Sequence, residues 1–441
     1  MKPNRWLGAN RVVGIVLVVA LASLTAVALT SCEYFDPLDP LSRGPGEHDS
    51  TTTWTRVITP SLSSGGNGDE AGMCVQQTED NGFIIAGYMQ SRVGANYDVW
   101  LVKTDSLGYV EWDVRYGEGG NDKAFYVEQT PDGGYIVVGF KGFDRGGGAW
   151  DADLWLFKIK PDDQGQGEMD WEQVYGDSGT DEEGACVRCT DDGGYIITGR
   201  KMDSVLDYDR LWLIKTDAAG NLDPSWDPNP KLFGGSATTF GECVSQTEPD
   251  EGYVVAGASW LDNSDNAYII KTDDAGNLDP AWATNPQAFG TPDEPDFAYY
   301  VQQTSDGGYI LAGETRSFGA AGMDALVIKL DASGNLDNQW AGNPQSLHNA
   351  PDDNGDDRAS CIQQTSDGGY ILAGMTHFND QDAWLVKMDA FGNMLWNECF
   401  GGEGHDEAKS VRETDDGGYI LAGLTNSYPG SFNLYLVYYK P

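Results

Sequence analysis

The chain has 441 residues, 40% hydrophobic and 22% charged, with 57 Gly and 14 Trp. Apolar and aromatic residues are too plentiful for a disordered chain, which lacks the buried surface to offset ordering entropy. A formal net charge of −42 repels nucleic acid and anionic headgroups, and four His leave little room for a histidine-rich metal site.

In chain order, Lys2, Arg5 and Arg11 precede or open an apolar run from Val12 to Leu29, followed at once by Thr30-Ser31-Cys32. A basic start, an apolar core and small residues before a cysteine resemble a bacterial lipoprotein signal. That resemblance implies cleavage between Ser31 and Cys32 and lipidation of Cys32. It also implies an exported, lipid-anchored protein at the outer membrane or cell surface. The run is just long enough to span a bilayer as an uncleaved helix, but the cysteine at its end favours the lipid anchor. Residues 1–31 are thus read as signal peptide. Residues 32–53, rich in Asp, Pro, Gly, Ser and Thr, are read as a lipidated Cys and flexible tether.

From residue 54 onward one phrase recurs seven times, first as Val75-Gln-Gln-Thr-Glu-Asp-Asn-Gly-Phe83 and last as Val411 to Tyr419. Its aromatic residues, Phe83, Tyr135, Tyr195, Tyr253, Tyr309, Tyr370 and Tyr419, stand 52, 60, 58, 56, 61 and 49 residues apart. Each opens an apolar run closing on a glycine, from Gly87 to Gly423. Four strands are predicted per unit. The first ends at the Gln-Thr pair, and an Asp-Gly or Gly-Gly hairpin turn leads to the second. The third is typified by Asp98 to Asp105, and the fourth is marked by Trp112, Trp171, Trp226, Trp282, Trp340 and Trp396. Four short strands in such a span match one blade of a β-propeller. The seventh unit ends at Pro441 without its Trp strand, while an orphan Trp strand, Thr53 to Ile58, precedes the first unit. A ring divides a repeat in this way, because the orphan strand completes the last blade. The fold predicted for residues 54–441 is all-β: a seven-bladed β-propeller of four-stranded antiparallel blades, closed by the N-terminal strand.

These residues resemble the bacterial and archaeal secreted β-propeller repeat proteins that carry Gln-Thr-x-Asp-Gly-Gly-Tyr-Ile-x-x-Gly. The likeness covers residues 54–441 and implies a propeller and an exported location, without a shared activity. Kelch and WD marks are missing.

Acidic residues recur just before each first strand: Asp69-Glu70, Asp122, Asp181-Glu182, Asp296, Asp356-Asp357 and Asp406-Glu407, with Thr239-Phe240-Gly241 in the fourth unit. Six carboxylates at one channel mouth (Asp69, Asp122, Asp181, Asp296, Asp356, Asp406) would raise one another's pKa or attract Ca²⁺. Alternatively, they serve only their own turns. The third-strand lysines, Lys103 to Lys440, are expected to form blade-to-blade ion pairs. Trp150 and Trp260 fall outside the pattern, in predicted loops between second and third strands, and are candidates for a ligand platform. Cys74, Cys186, Cys243 and Cys361 share one register. Packed sheets lie about 10 Å apart, too far for a disulfide, so these are read as buried thiols.

No catalytic set or cofactor motif is evident, and three readings follow. The first is a non-catalytic binding or scaffold module for an envelope protein or glycan, monomeric and held to the membrane through its lipid alone. The second is an extracellular polysaccharide hydrolase or lyase using carboxylates. The third is a calcium-stabilised adhesion protein.

Overall fold

The computed structural model describes residues 53–441, apart from short stretches at 62–65, 92–95, 145–149, 163–164, 178, 206–207, 236, 262, 320–321, 350–354, 378–379 and 429–430. The signal segment, Cys32 and the tether lie outside the described residues. Seven four-stranded antiparallel sheets follow one another along the chain. Blades 1 to 6 span residues 66–116, 122–175, 182–233, 239–289, 296–347 and 358–400. Blade 7 takes three strands from 406–439 and its fourth from Trp54–Ile58. That closing strand runs antiparallel to Asn433–Tyr439, with Trp54 opposite Tyr438 and Ile58 opposite Leu434. The predicted ring is therefore closed by the pairing of Trp54–Ile58 with Asn433–Tyr439.

The repeated phrase owes its residues to two latches. In blades 1 to 6 the Asp of the first turn pairs with the third-strand Lys of the same blade; in blade 7 Tyr438 holds that register and donates to Asp416, while Lys440, just past the strand, supplies the cation. The pairs run from Lys103–Asp80 to Lys440–Asp416, at 2.5 to 3.1 Å. The same carboxylate accepts from the turn Thr, as Asp80 does from Thr78 at 2.5 Å, and from a turn glycine, as from Gly82 N at 2.9 Å. The expected blade-to-blade ion pairs are thus replaced by pairs within each blade. The Lys side chain lies along its own sheet, within reach of that sheet's first turn and of the carbonyl of the next residue, as Lys103 is of Thr104 O at 2.9 Å. At Asp132 the Lys158 bond is the largest cause of a lowered pKa. Elsewhere partial burial opposes ionisation and the hydrogen bonds outweigh it, so all seven carboxyls are lowered, Asp132, Asp367 and Asp416 to about 2.

The second latch joins neighbours. In six blades the Gln or Glu before the turn Thr accepts from a backbone N–H of the preceding blade, as Gln129 does from Glu79 N at 2.9 Å, whereas in blade 3 Cys189 stands there and donates its N–H to Glu128 at 3.3 Å. Gln77 accepts from Asp415 N at 2.9 Å, which repeats the latch across the closure. A tryptophan of each blade packs against the aromatic opening the second strand of the next. Six such pairs run from Trp112–Tyr135 to Trp396–Tyr419, and Trp54–Phe83 completes the circle, with centroids 5.1 to 6.3 Å apart.

One expectation about these tryptophans changes. Trp226, Trp282 and Trp340 lie in turns that precede outer strands of only three residues, Lys231–Phe233, Gln287–Phe289 and Gln345–Leu347. A Leu-Asp-Pro or Leu-Asp-Asn segment interrupts the ladder there. An Asn side chain stands in for the missing backbone: Asn229 Nδ2 donates to Lys215 O at 2.7 Å, and Asn285 and Asn343 do the same for Lys271 and Lys329.

Candidate functional site

Each inner strand carries a bulge at one common place. Register slips between Gly72 and Cys74, and at the equivalent step in all seven blades. The glycine closing each second strand makes room for it. A Cβ on Gly87 would lie 1.8 Å from Ala71 O, and the other six would meet a main-chain oxygen at 1.8 or 1.9 Å. A bulge turns two successive side chains towards one side. Here they face the axis, around a cavity of about 490 Å³.

The extra residues form one deck of the cavity wall: Met73, Phe125, Ala185, Glu242, Tyr299, Ser360 and Lys409. A second deck holds Cys74, Tyr126, Cys243, Tyr300, Cys361 and Ser410, with Cys186 completing its register. The four thiols read from sequence thus belong to a ring of residues about the axis. Convergence of inner strands brings Cys186 Sγ within 3.9 Å of Cys243 Sγ, so the inter-sheet spacing used for the sequence estimate does not hold at the axis.

Two arginines cross the floor of this ring. Arg188 Nη2 donates to Tyr300 Oη at 3.0 Å, and Arg412 Nη2 donates to Tyr126 Oη at 3.0 Å. Their guanidinium groups also lie over tyrosine rings, Arg188 at 4.7 Å from Tyr126 and Arg412 at 5.6 Å from Tyr300. Arg188 pairs with Glu128 at 3.4 Å. Arg412 donates to Val411 O at 2.6 Å and to Cys361 Sγ at 3.3 Å. No carboxylate among the described residues stands within ion-pairing distance of it.

The other cavity cations are all paired: Arg200 with Glu183 at 2.7 Å, Arg358 with Glu314 at 2.7 Å, and Lys409 with Glu407 at 2.6 Å. Glu242 is different. Burial, then the neighbouring Glu183 charge, raises its carboxyl to about 7 against the pull of Arg200. The cavity therefore combines one cation without a countercharge and one carboxyl that holds its proton near neutrality.

The six acids singled out in the sequence bond groups of their own or the preceding blade. Asp122, Asp296 and Asp406 are fully buried, and they bond the hairpin or loop of their own blade. Asp122 accepts from Gly142 N at 2.9 Å, Asp296 from Ser317 Oγ at 2.7 Å, and Asp406 from Gly402 N at 3.0 Å. Burial raises Asp122 to about 6 and also raises Asp296 and Asp406. Asp69, Asp181 and Asp356 stand one register earlier and clip the preceding blade, accepting from Phe432, Ala152 and Met323 N at 3.2 to 3.3 Å. None of the six is among the described residues lining the cavity. Among the described residues, no group of three or more His, Cys, Asp and Glu is placed to hold a metal ion.

Trp150 begins the strand Trp150–Pro161 and Trp260 lies in Tyr253–Leu261, so both sit in extended hairpins rather than loops. Trp260 is half exposed and stands apart from the described cavity wall. Sequence reasoning missed Arg188, Arg412 and Glu242. The signal that pointed to them was the glycine closing each second strand, which marks a bulge and fixes which residues face inward.

No protein-family model matches the chain, and no curated protein does. Among solved structures, the Pseudomonas aeruginosa periplasmic gluconolactonase superposes with a TM-score of 0.51 at 13% identity, over 81% of this chain and 96% of that one. Sqt1 from Chaetomium thermophilum gives 0.43 at 9% identity, over 85% and 97% of the two chains. Penicillium chrysogenum α-L-arabinanase gives 0.40 at 12%, over 70% and 91%. The first of these likenesses is one of fold alone, and the fold, seen in the seven four-stranded sheets of this chain, is a seven-bladed β-propeller.

Proposed function

We propose that the protein is a non-catalytic binding module of the bacterial cell envelope, which holds a small anionic ligand, such as the carboxylate of an acidic sugar, in its axial cavity. It is exported, anchored through lipid on Cys32, and carries a monomeric propeller at the end of the 33–53 tether. The observation supporting this reading is Arg412, a guanidinium in the cavity wall whose described partners are all neutral. A cation held away from bulk water favours an anion, and a carboxylate matches its planar fork. Tyr299 and Phe125 in the deck above offer apolar faces to a sugar ring. The partner is an acidic sugar free or at the end of an envelope polysaccharide. Calorimetric titration with glucuronate, set against neutral glucose, tests this. Saturable binding of the acid and none of the neutral sugar is expected, and equal response to both would overturn it.

A second reading, polysaccharide hydrolysis, has Glu242 in its favour. A carboxyl raised to about 7 in a cavity is the form a proton donor takes, and Glu183, paired with Arg200, supplies a charged carboxylate in the same wall. Turnover of acidic glycans that disappears in Glu242→Gln would move the assignment to this reading. Absence of turnover alongside glucuronate binding would leave the binding module.

A further inference from the structure

Cys186 and Cys243 occupy the same register of neighbouring inner strands, and their sulfurs approach to 3.9 Å. Both are about 1% exposed, and Cys243 borders the axial cavity. Blades 3 and 4 are the one place where two cysteines adjoin in this ring of residues. Cys74 and Cys361 have Tyr126, Tyr300 or Ser410 beside them, and their thiols bond main-chain oxygens, Val127 O at 3.6 Å and Val411 O at 3.7 Å. Beside the pair lies Arg188, whose Nε donates to Val244 O at 3.3 Å. A cation next to a thiol favours the thiolate, the form that attacks a disulfide.

We propose that Cys186 and Cys243 are a reactive dithiol that closes reversibly into a disulfide across the seam between blades 3 and 4, oxidised by a small disulfide entering the axial cavity. The Cys243 thiolate attacks one sulfur of the oxidant R–S–S–R, forming a mixed disulfide and releasing RS⁻. Cys186 passes its proton to that leaving thiolate and then attacks the Cys243 sulfur. The second RS⁻ leaves and takes a proton from solvent. Two electrons pass from the cysteine pair to the oxidant, which departs as two thiols. Although burial raises both thiols, the Cys186 hydrogen bond and then Arg188 outweigh it at Cys243 and lower its pKa, whereas Cys186 stays raised. Cys243 borders the cavity that admits the oxidant and Cys186 is not among its lining residues, which makes Cys243 the attacking sulfur and Cys186 the resolving one. The site goes beyond anion binding and stands or falls without it.

The test treats the purified protein with hydroxyethyl disulfide, digests it without reduction and maps the thiols by mass spectrometry. The expected product is one linked peptide pair containing Cys186 and Cys243. Two fewer thiols per chain should label after unfolding, dithiothreitol should restore both, and Cys74 and Cys361 should remain free. In Cys186→Ser, the mixed disulfide should accumulate on Cys243. Three results would overturn the proposal: a stable mixed disulfide on Cys243 of the unaltered protein, equal consumption of Cys74 and Cys361, or failure of both Cys186 and Cys243 to react.

Discussion

The latched turns on one face of the propeller and the two decks around its axis arise from the same seven repeats, yet they differ in what is held constant. Every turn keeps its Asp, six third strands keep a Lys at one register, and in blade 7 Lys440 reaches the turn from just past the strand, so that all seven pairs form. The bulged deck, at an equally fixed position, presents Met, Phe, Ala, Glu, Tyr, Ser and Lys. Constant residues bond within the repeat and carry its geometry. Residues that differ from blade to blade share a common geometry that places no demand on their chemistry. In a repeat protein, function is therefore sought where backbone recurs and side chains do not.

This contrast predicts that stability and binding can be altered separately. Deleting residues 1–59 removes the closing strand and its Trp54 contact, and should lower the melting temperature by at least ~10 °C, read by circular dichroism. A deletion that melts like the whole chain would mean that the ring does not depend on closure. Next in size, Asp250→Asn leaves Lys271, 1% exposed, without its 2.7 Å partner. A loss of about 1–3 kcal/mol in denaturant unfolding is expected, with glucuronate affinity unchanged. Arg412→Gln should do the reverse. Calorimetry should show affinity for the acid falling on the order of tenfold, about 1.4 kcal/mol, while the melting temperature stays within ~2 °C.

The pH dependence sharpens the comparison further. The seven turn aspartates have lower pKa values folded than unfolded, so their stabilisation is complete above the unfolded value near ~4 and fades as pH falls towards about 2. Burial raises Glu70 to about 7 and Asp122 to about 6. Their folded values exceed the unfolded ones, so they lower stability progressively as pH rises from ~4 to 7. Melting scans should therefore peak near pH ~4 to 5 and fall on both sides, and Asp122→Asn should flatten the neutral limb only. The smallest effect is expected of Ser360→Ala in the bulged deck, a change in melting within about 0.5 kcal/mol.

The architecture was legible because the repeat exposes it. Blade number, the four-strand unit and ring closure all followed from the phrase around Val75 to Phe83 and from the displaced strand at Trp54. Partner choice was less legible. Lys103 and Asp105 share a strand face, which suggested that they belong to one ion-pair system, but Asp80 lies nearer in space across a turn. The acids at 69, 181 and 356 were aligned with those at 122, 296 and 406, although they stand one register apart and bond different blades. The cavity was hidden by the bulge, since strict alternation assigns Glu242 and Cys243 to opposite faces whereas both line the axis. Glycines such as Gly257, whose Cβ would meet Phe240 O at 1.9 Å, carried that information in a form that hydrophobic periodicity does not read.

The strand Trp54–Ile58 has a mechanical consequence. It is the first strand among the described residues. A pull along the strand axis loads all five of its cross-strand partners, Leu434 to Tyr438, in shear. Residues paired in this way resist together instead of peeling in turn, and stacking of Trp54 on Tyr438 at 5.6 Å braces the loaded end.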